Sequence, residues 1–216
     1  MLSLFLTVFF LIPDVSGEEF FYFIQQTNDT NKVQVLLLID DNYGANFNVD
    51  DESMNIAELF ESFGWVCNII SVKDSVQPCE GAAQYFNCKP VATDYLISDV
   101  QDLSQYKALV ILPGESYPNL MVSQAAMELI RNAVKRDMVI AAWCRGVSLL
   151  AAADVIRGVS VTGHRDYTGE YHKAGAEYIS GDPPPVVDGN IITTVRSRYY
   201  RTQMCEEIYK AVRKNL

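Results

Sequence analysis

Three short stretches that are apolar at almost every position constrain this chain more than any other feature. They are residues 33–39 (VQVLLLI), 108–112 (ALVIL) and 138–142 (MVIAA). A strand with one wet face alternates apolar and polar side chains, so a run that is apolar throughout needs cover on both faces. The cover is written between the runs. Ile56, Leu59, Phe60 and Phe63 recur at helical spacing, and Gly64 follows them. Ser123 stands where it would cap a helix over 124–135, with Met127, Ile130 and Val134 on its apolar side. Residues 66–72 predict a further strand and 146–153 a short helix. Residues 159–161 predict a short strand ending near His164, and 186–192 two strands around Asp188-Gly189-Asn190. A helix over 198–215 closes the chain, and the polar stretch 74–92 predicts an excursion away from the sheet. Strands alternating with helices predict an α/β fold, a mostly parallel sheet covered on both faces. Ligands of such sheets sit beyond the carboxyl ends of the strands.

Composition narrows the class. The 216 residues carry 17 Lys and Arg against 27 Asp and Glu, a net charge of −10, which repels nucleic-acid phosphates. A hydrophobic content of 49% fits a packed core rather than disorder. No apolar run approaches the roughly 20 residues that span a bilayer. Residues 2–12 are apolar apart from Ser3 and Thr7, and Val15-Ser16-Gly17 offers small residues at a cleavage site. The expectation is a signal peptide over 1–17, a short segment over 18–32 and one domain over 33–216, in a secreted chain. On that route Asn28 of Asn28-Asp29-Thr30 is a glycosylation acceptor. Secretion also makes disulfides available to the five cysteines; Cys79 and Cys88 are the expected pair, with Cys67 and Cys205 as buried thiols.

Several reactive residues stand at strand ends. Cys144 follows the strand at 138–142 by two residues and precedes a helix, in Ala142-Trp143-Cys144-Arg145-Gly146. This is the strand–turn–helix layout of a nucleophile elbow. Helix amides and Arg145 beside the sulfur predict a lowered thiol pKa. His164 is placed to be its base or hydrogen-bond partner, whereas His172 falls in a helix and reads as a surface residue. Gly114 and Glu115 end the strand at 108–112, where backbone amides are expected to face an oxyanion. Glu52 opens the first helix beside Asp50 and Asp51, and residues 42–46 line the same edge without the glycine spacing or lysine of a phosphate loop. No residue cluster predicts a metal, and no motif predicts a cofactor.

The ordered set Leu109-Val-Ile-Leu-Pro-Gly-Glu115, Val139-Ile-Ala-Ala-Trp-Cys-Arg-Gly146, Val159-Ser-Val-Thr-Gly-His164 and Val187-Asp-Gly-Asn-Ile-Ile-Thr193 resembles the ThiJ/PfpI family. Within the class I glutamine amidotransferase-like superfamily it is most similar to the parkinsonism-associated deglycase branch. The resemblance implies a flavodoxin-like three-layer sandwich, often dimeric, over roughly residues 33–213. It implies that Cys144 is the reactive cysteine, that Glu52 is the acid that hydrogen-bonds it, and that His164 matches the histidine carried near it. Two positions depart from the family pattern. Arg145 stands where protease-like members carry histidine, and Glu115 replaces the second glycine of Pro-Gly-Gly. The closing helix has no His-x-Glu pair, which argues against glutamine amidotransfer.

Three functions fit. One is a cysteine-dependent hydrolase or glyoxalase/deglycase-type enzyme acting on small carbonyl compounds, with the Glu115 and Arg145 amides as oxyanion donors. Another is an extracellular binding or interaction protein in which Arg145 holds an anionic ligand. The third is a redox sensor in which Cys144 is oxidised.

Overall fold

Strand β1 (Gln34–Leu38) is an interior strand of the sheet and has no solvent contact over Val35–Leu38. Helix α1 (Ile56–Ser62) follows, opened by a capping box in which Asn55 and Glu58 satisfy each other's amides. Next come β2 (Val66–Ser71), β3 (Ser75–Val76), α2 (Glu80–Phe86), β4 (Val91–Ala92) and β5 (Tyr95–Leu96). The second half runs β6 (Tyr106–Ile111), α3 (Gln124–Lys135), β7 (Val139–Trp143), α4 (Val147–Ala152), β8 (Ser160–Val161), α5 (Thr168–Lys173) and β9 (Glu177–Tyr178). It ends with β10 (Val186–Asp188), β11 (Ile191–Thr194) and α6 (Ser197–Lys214). These elements come from a computed structural model that describes residues 32–45, 47 and 54–216; the expected signal peptide at 1–17, the Asn28 sequon and Glu52 lie outside them.

Seven strands form the main sheet in the order β10-β11-β7-β6-β1-β2-β5. Every pairing is parallel except β10 with β11, which turn back on each other through Gly189 at φ +57°. Successive side chains of a strand point to opposite faces, and two cores follow from that period of two. Leu36, Leu38, Leu109, Ile111, Ile140 and Ala142 join α3 and α4 on one face. Val35, Leu37, Ala108, Val110, Val139, Ala141 and Trp143 join α1 and α6 on the other. The result is a three-layer flavodoxin-like sandwich. Each fully buried Leu or Ile contributes about 1.5–3 kcal/mol, so this doubled burial sustains a sheet whose central strands have no polar face.

Ser123 caps α3 as the sequence predicts, its hydroxyl accepting the Ala126 amide. Two expectations need correction. Residues 74–92 do leave the main sheet, with α2 in their middle, but the expected Cys79–Cys88 disulfide is not formed: both are free thiols. The Cys79 sulfur is engaged as the cap of α2, accepting the Ala82 amide at 3.4 Å. The segment at 159–161 does not enter the main sheet. It pairs with β9 in a separate two-stranded ribbon. Two bonds fasten that ribbon to the sheet edge, from the Ser160 amide to the Asp188 carboxylate and from the Thr162 amide to the Thr193 hydroxyl.

Candidate active site

Cys144 begins a single 3-10 turn, Cys144–Gly146, between β7 and α4. Its backbone lies at φ +52°, a left-handed conformation that non-glycine residues rarely adopt. That turn reverses the chain sharply enough to raise the side chain above the sheet edge, as in a nucleophile elbow. Gly146 makes the turn possible: a Cβ there would lie 2.9 Å from the Tyr117 hydroxyl and 3.0 Å from Ile111. The thiol is half-buried and borders a cavity of about 980 Å³, shared with Gly114, Glu115, Arg145, His164 and Arg196.

The expected low thiol pKa is not what this environment produces. Burial pushes the Cys144 thiol up and is the largest influence. The Arg145 amide, directed at the sulfur, and the Arg145 and Arg196 charges pull it down, while Glu115 adds to the rise. One short turn and two guanidinium groups do not offset the water lost around the sulfur.

His164 is brought to Cys144 through the main chain, its amide donating to the Cys144 carbonyl at 3.1 Å. No hydrogen bond joins the sulfur to the imidazole among the described residues. The His164 ring faces its own turn, with Nδ1 accepting the Asp166 amide at 3.3 Å and lying 3.4 Å from the Asp166 carboxylate. Desolvation and then Arg145 lower its pKa, so the ring is neutral at pH 7. With Nδ1 an acceptor, the neutral ring carries its proton on Nε2.

Gly114 and Glu115 reach the cavity as expected, but the Glu115 amide does not face an oxyanion. It donates to the Asn42 carbonyl at 2.8 Å, so it is removed from the expected donor set. The Gly114 amide is the one left without a partner among the described residues. The Glu115 carboxylate turns to Arg145, 3.0 Å from Nη1. His172 is exposed on α5, as its sequence context predicts. No group of three or more His, Cys, Asp or Glu that would hold a metal occurs among the described residues.

A match to the DJ-1/PfpI family extends over residues 34–211. The chain belongs to the DJ-1/PfpI family. An uncharacterised protein of Archaeoglobus fulgidus is 33% identical over 104 residues, which is 48% of this chain and 60% of that one. The uncharacterised protein MJ0967 of Methanocaldococcus jannaschii is 30% identical over 169 residues, 77% of this chain and 78% of the relative. A ThiJ/PfpI domain protein from Brachyspira murdochii superposes with a TM-score of 0.68 at 19% identity, covering 85% of this chain and 98% of that structure. At that identity the likeness speaks for the fold.

In this DJ-1/PfpI member the sequence reading missed the residues that hold the site up. Asp40, 1% exposed at the end of β1, accepts the amides of Asp41, Asn119 and Leu120 and the Asn119 side chain. Asp41 bonds Lys73, the Gln77 amide and Asn119. Together they tie the β1 end to the loop after β6. The Asp-Asp pair directly after an apolar run was the available signal. Two buried phenols flank the elbow. Tyr117 donates to the Leu112 carbonyl at 2.7 Å, whereas the Tyr171 hydroxyl has no partner among the described residues. No sequence spacing marks either tyrosine, because their approach to Gly146 and Gly163 is made by packing.

Proposed function

We propose that the chain is a secreted cysteine-dependent enzyme acting on small carbonyl compounds, of hydrolase or glyoxalase/deglycase type. The observation that carries the reading is Cys144 at φ +52° on a strand–turn–helix elbow, opening on a cavity that His164 also lines. In this scheme Cys144 Sγ adds to the carbonyl carbon of a 2-oxoaldehyde. The His164 Nε2–H passes to the carbonyl oxygen, and the thiol proton returns to the imidazole, leaving a neutral hemithioacetal. The Gly114 amide supports the oxygen as charge develops. Glu52, by resemblance, holds the thiol. Cleavage after Gly17 and glycosylation at Asn28 belong to the same proposal.

The test is decay of methylglyoxal and of a p-nitrophenyl ester with full-length protein expressed through a secretory route. Turnover abolished in C144S and reduced at least about 100-fold in H164A supports the scheme. Turnover retained in C144S overturns it. An unchanged amino terminus in the exported protein overturns the signal peptide. A second reading, a ligand-binding protein without turnover, is favoured by one feature: burial pushes the Cys144 thiol pKa up. It predicts saturable ligand binding that survives C144S.

A further inference from the structure

The charged side chains lining the cavity are unevenly matched. Among the described residues they comprise three arginines, Arg145, Arg165 and Arg196, and two carboxylates, Glu115 and Asp182. Arg145 is paired with Glu115 at 3.0 Å and Arg196 with Asp182 at 3.8 Å. Arg165 makes no ion pair and no side-chain hydrogen bond among the described residues. It directly follows His164, whose amide is bonded to the Cys144 carbonyl, and it lines the same cavity as Cys144. The whole chain carries −10, which at long range repels anions. Among the described residues the cavity lining therefore carries one positive side chain more than negative ones, in an acidic protein.

We propose that the substrate of this site carries a carboxylate next to its reactive carbonyl, and that Arg165 receives that carboxylate. The inference rests on the reading of Cys144 as the reacting atom and deepens it by naming the substrate class. A planar guanidinium matches a carboxylate through two parallel N–H···O bonds, a geometry that lysine does not offer. Arg145 and Arg196 are already neutralised, so they shape the entrance, and Arg165 supplies the uncompensated charge. Glyoxylate is the smallest compound with both groups.

The test uses two alkylating reagents of nearly equal size, anionic iodoacetate and neutral iodoacetamide, on the full chain. Each forms a sulfur–carbon bond at Cys144 with loss of iodide and of the thiol proton. Peptide mass spectrometry reads both rates at Cys144, and free cysteine in the same buffer gives the reference ratio. The expected iodoacetate-to-iodoacetamide ratio is about tenfold above that reference, and it falls toward the reference in R165Q and at high salt. A ratio at or below the reference, or one that R165Q leaves unchanged, overturns the proposal. Because the comparison needs no turnover, it separates a wrong substrate class from a wrong enzyme assignment. If the thiol resists both reagents, calorimetric titration with glyoxylate and with neutral glycolaldehyde decides. Tighter glyoxylate binding that is lost in R165Q supports the subsite, and equal or weaker binding overturns it.

Discussion

Gly163 is the position where one added methyl group tests the packing behind the site. A Cβ there would fall 2.6 Å from the Tyr171 hydroxyl oxygen, 3.0 Å from the ring carbon that bears it and 3.1 Å from the Cys144 carbonyl. Tyr171 is fully buried and its hydroxyl makes no hydrogen bond among the described residues, so neither partner yields without disturbing the core. Over-packing of this kind costs typically 1–3 kcal/mol, and G163A is expected near the middle, about 2 kcal/mol. The companion variant Y171F has the opposite sign. It deletes a buried hydroxyl that has given up water without gaining a partner, so it is expected to stabilise by about 1 kcal/mol. In the double variant the nearest clash is gone, while the 3.0 Å ring contact remains. The two changes are therefore coupled, with Y171F recovering about half of the G163A loss beyond additivity. Urea denaturation of the four proteins, with slopes compared to exclude a changed unfolded state, gives the coupling energy directly. The same methyl group presses on the Cys144 carbonyl, so Cys144 alkylation should change in G163A and recover in part in the pair. A G163A protein as stable as the parent, or Y171F destabilised by more than about 1 kcal/mol, refutes the packing argument.

Other expectations concern charge and thiols. The Cys144 thiol lies above its ordinary pKa. Its alkylation should be slow at neutral pH and still rising on the alkaline side of the ordinary thiol range. E115Q should shift the profile to lower pH, R145Q should shift it higher, and a profile insensitive to both would contradict the assigned causes. D40N places an amide donor against the Asn119 and Leu120 amides and should cost about 3 kcal/mol, read by denaturant midpoint at constant slope. Non-reducing peptide maps should return Cys79 and Cys88 as separate alkylated thiols, and a linked peptide would show that the α2 cap is not maintained.

Much of the fold was legible because burial on two faces leaves a mark that needs no partner to read. The runs at 33–39 and 108–112 admit few other readings, and α3 came with its own start signal at Ser123. The segment at 74–92 was legible only as an excursion, and its helix was missed, for the complementary reason. Its helix, Glu80–Phe86, is seven residues long, begins on a cysteine cap and buries only Ala82, so no apolar stripe distinguishes it from a loop. The ribbon of β8 and β9 was equally silent, since two-residue strands have no period.

The sequence by itself determined the layered α/β architecture and the presence of a reactive-looking cysteine at a strand end, because both follow from local order along the chain. It placed His164 at the same edge without deciding what its ring would face. Only the tertiary structure decided the protonation of that site and the donors around it. Burial of Cys144 depends on Tyr117, Tyr171 and the cavity walls arriving from distant segments, and desolvation then outweighs the charges next to it in sequence. The Glu115 amide was lost to Asn42, and Arg165 was left without an ion pair among the described residues, for the same reason. Hydrogen bonds and ion pairs are settled by which groups meet in space, and adjacency along the chain does not set that.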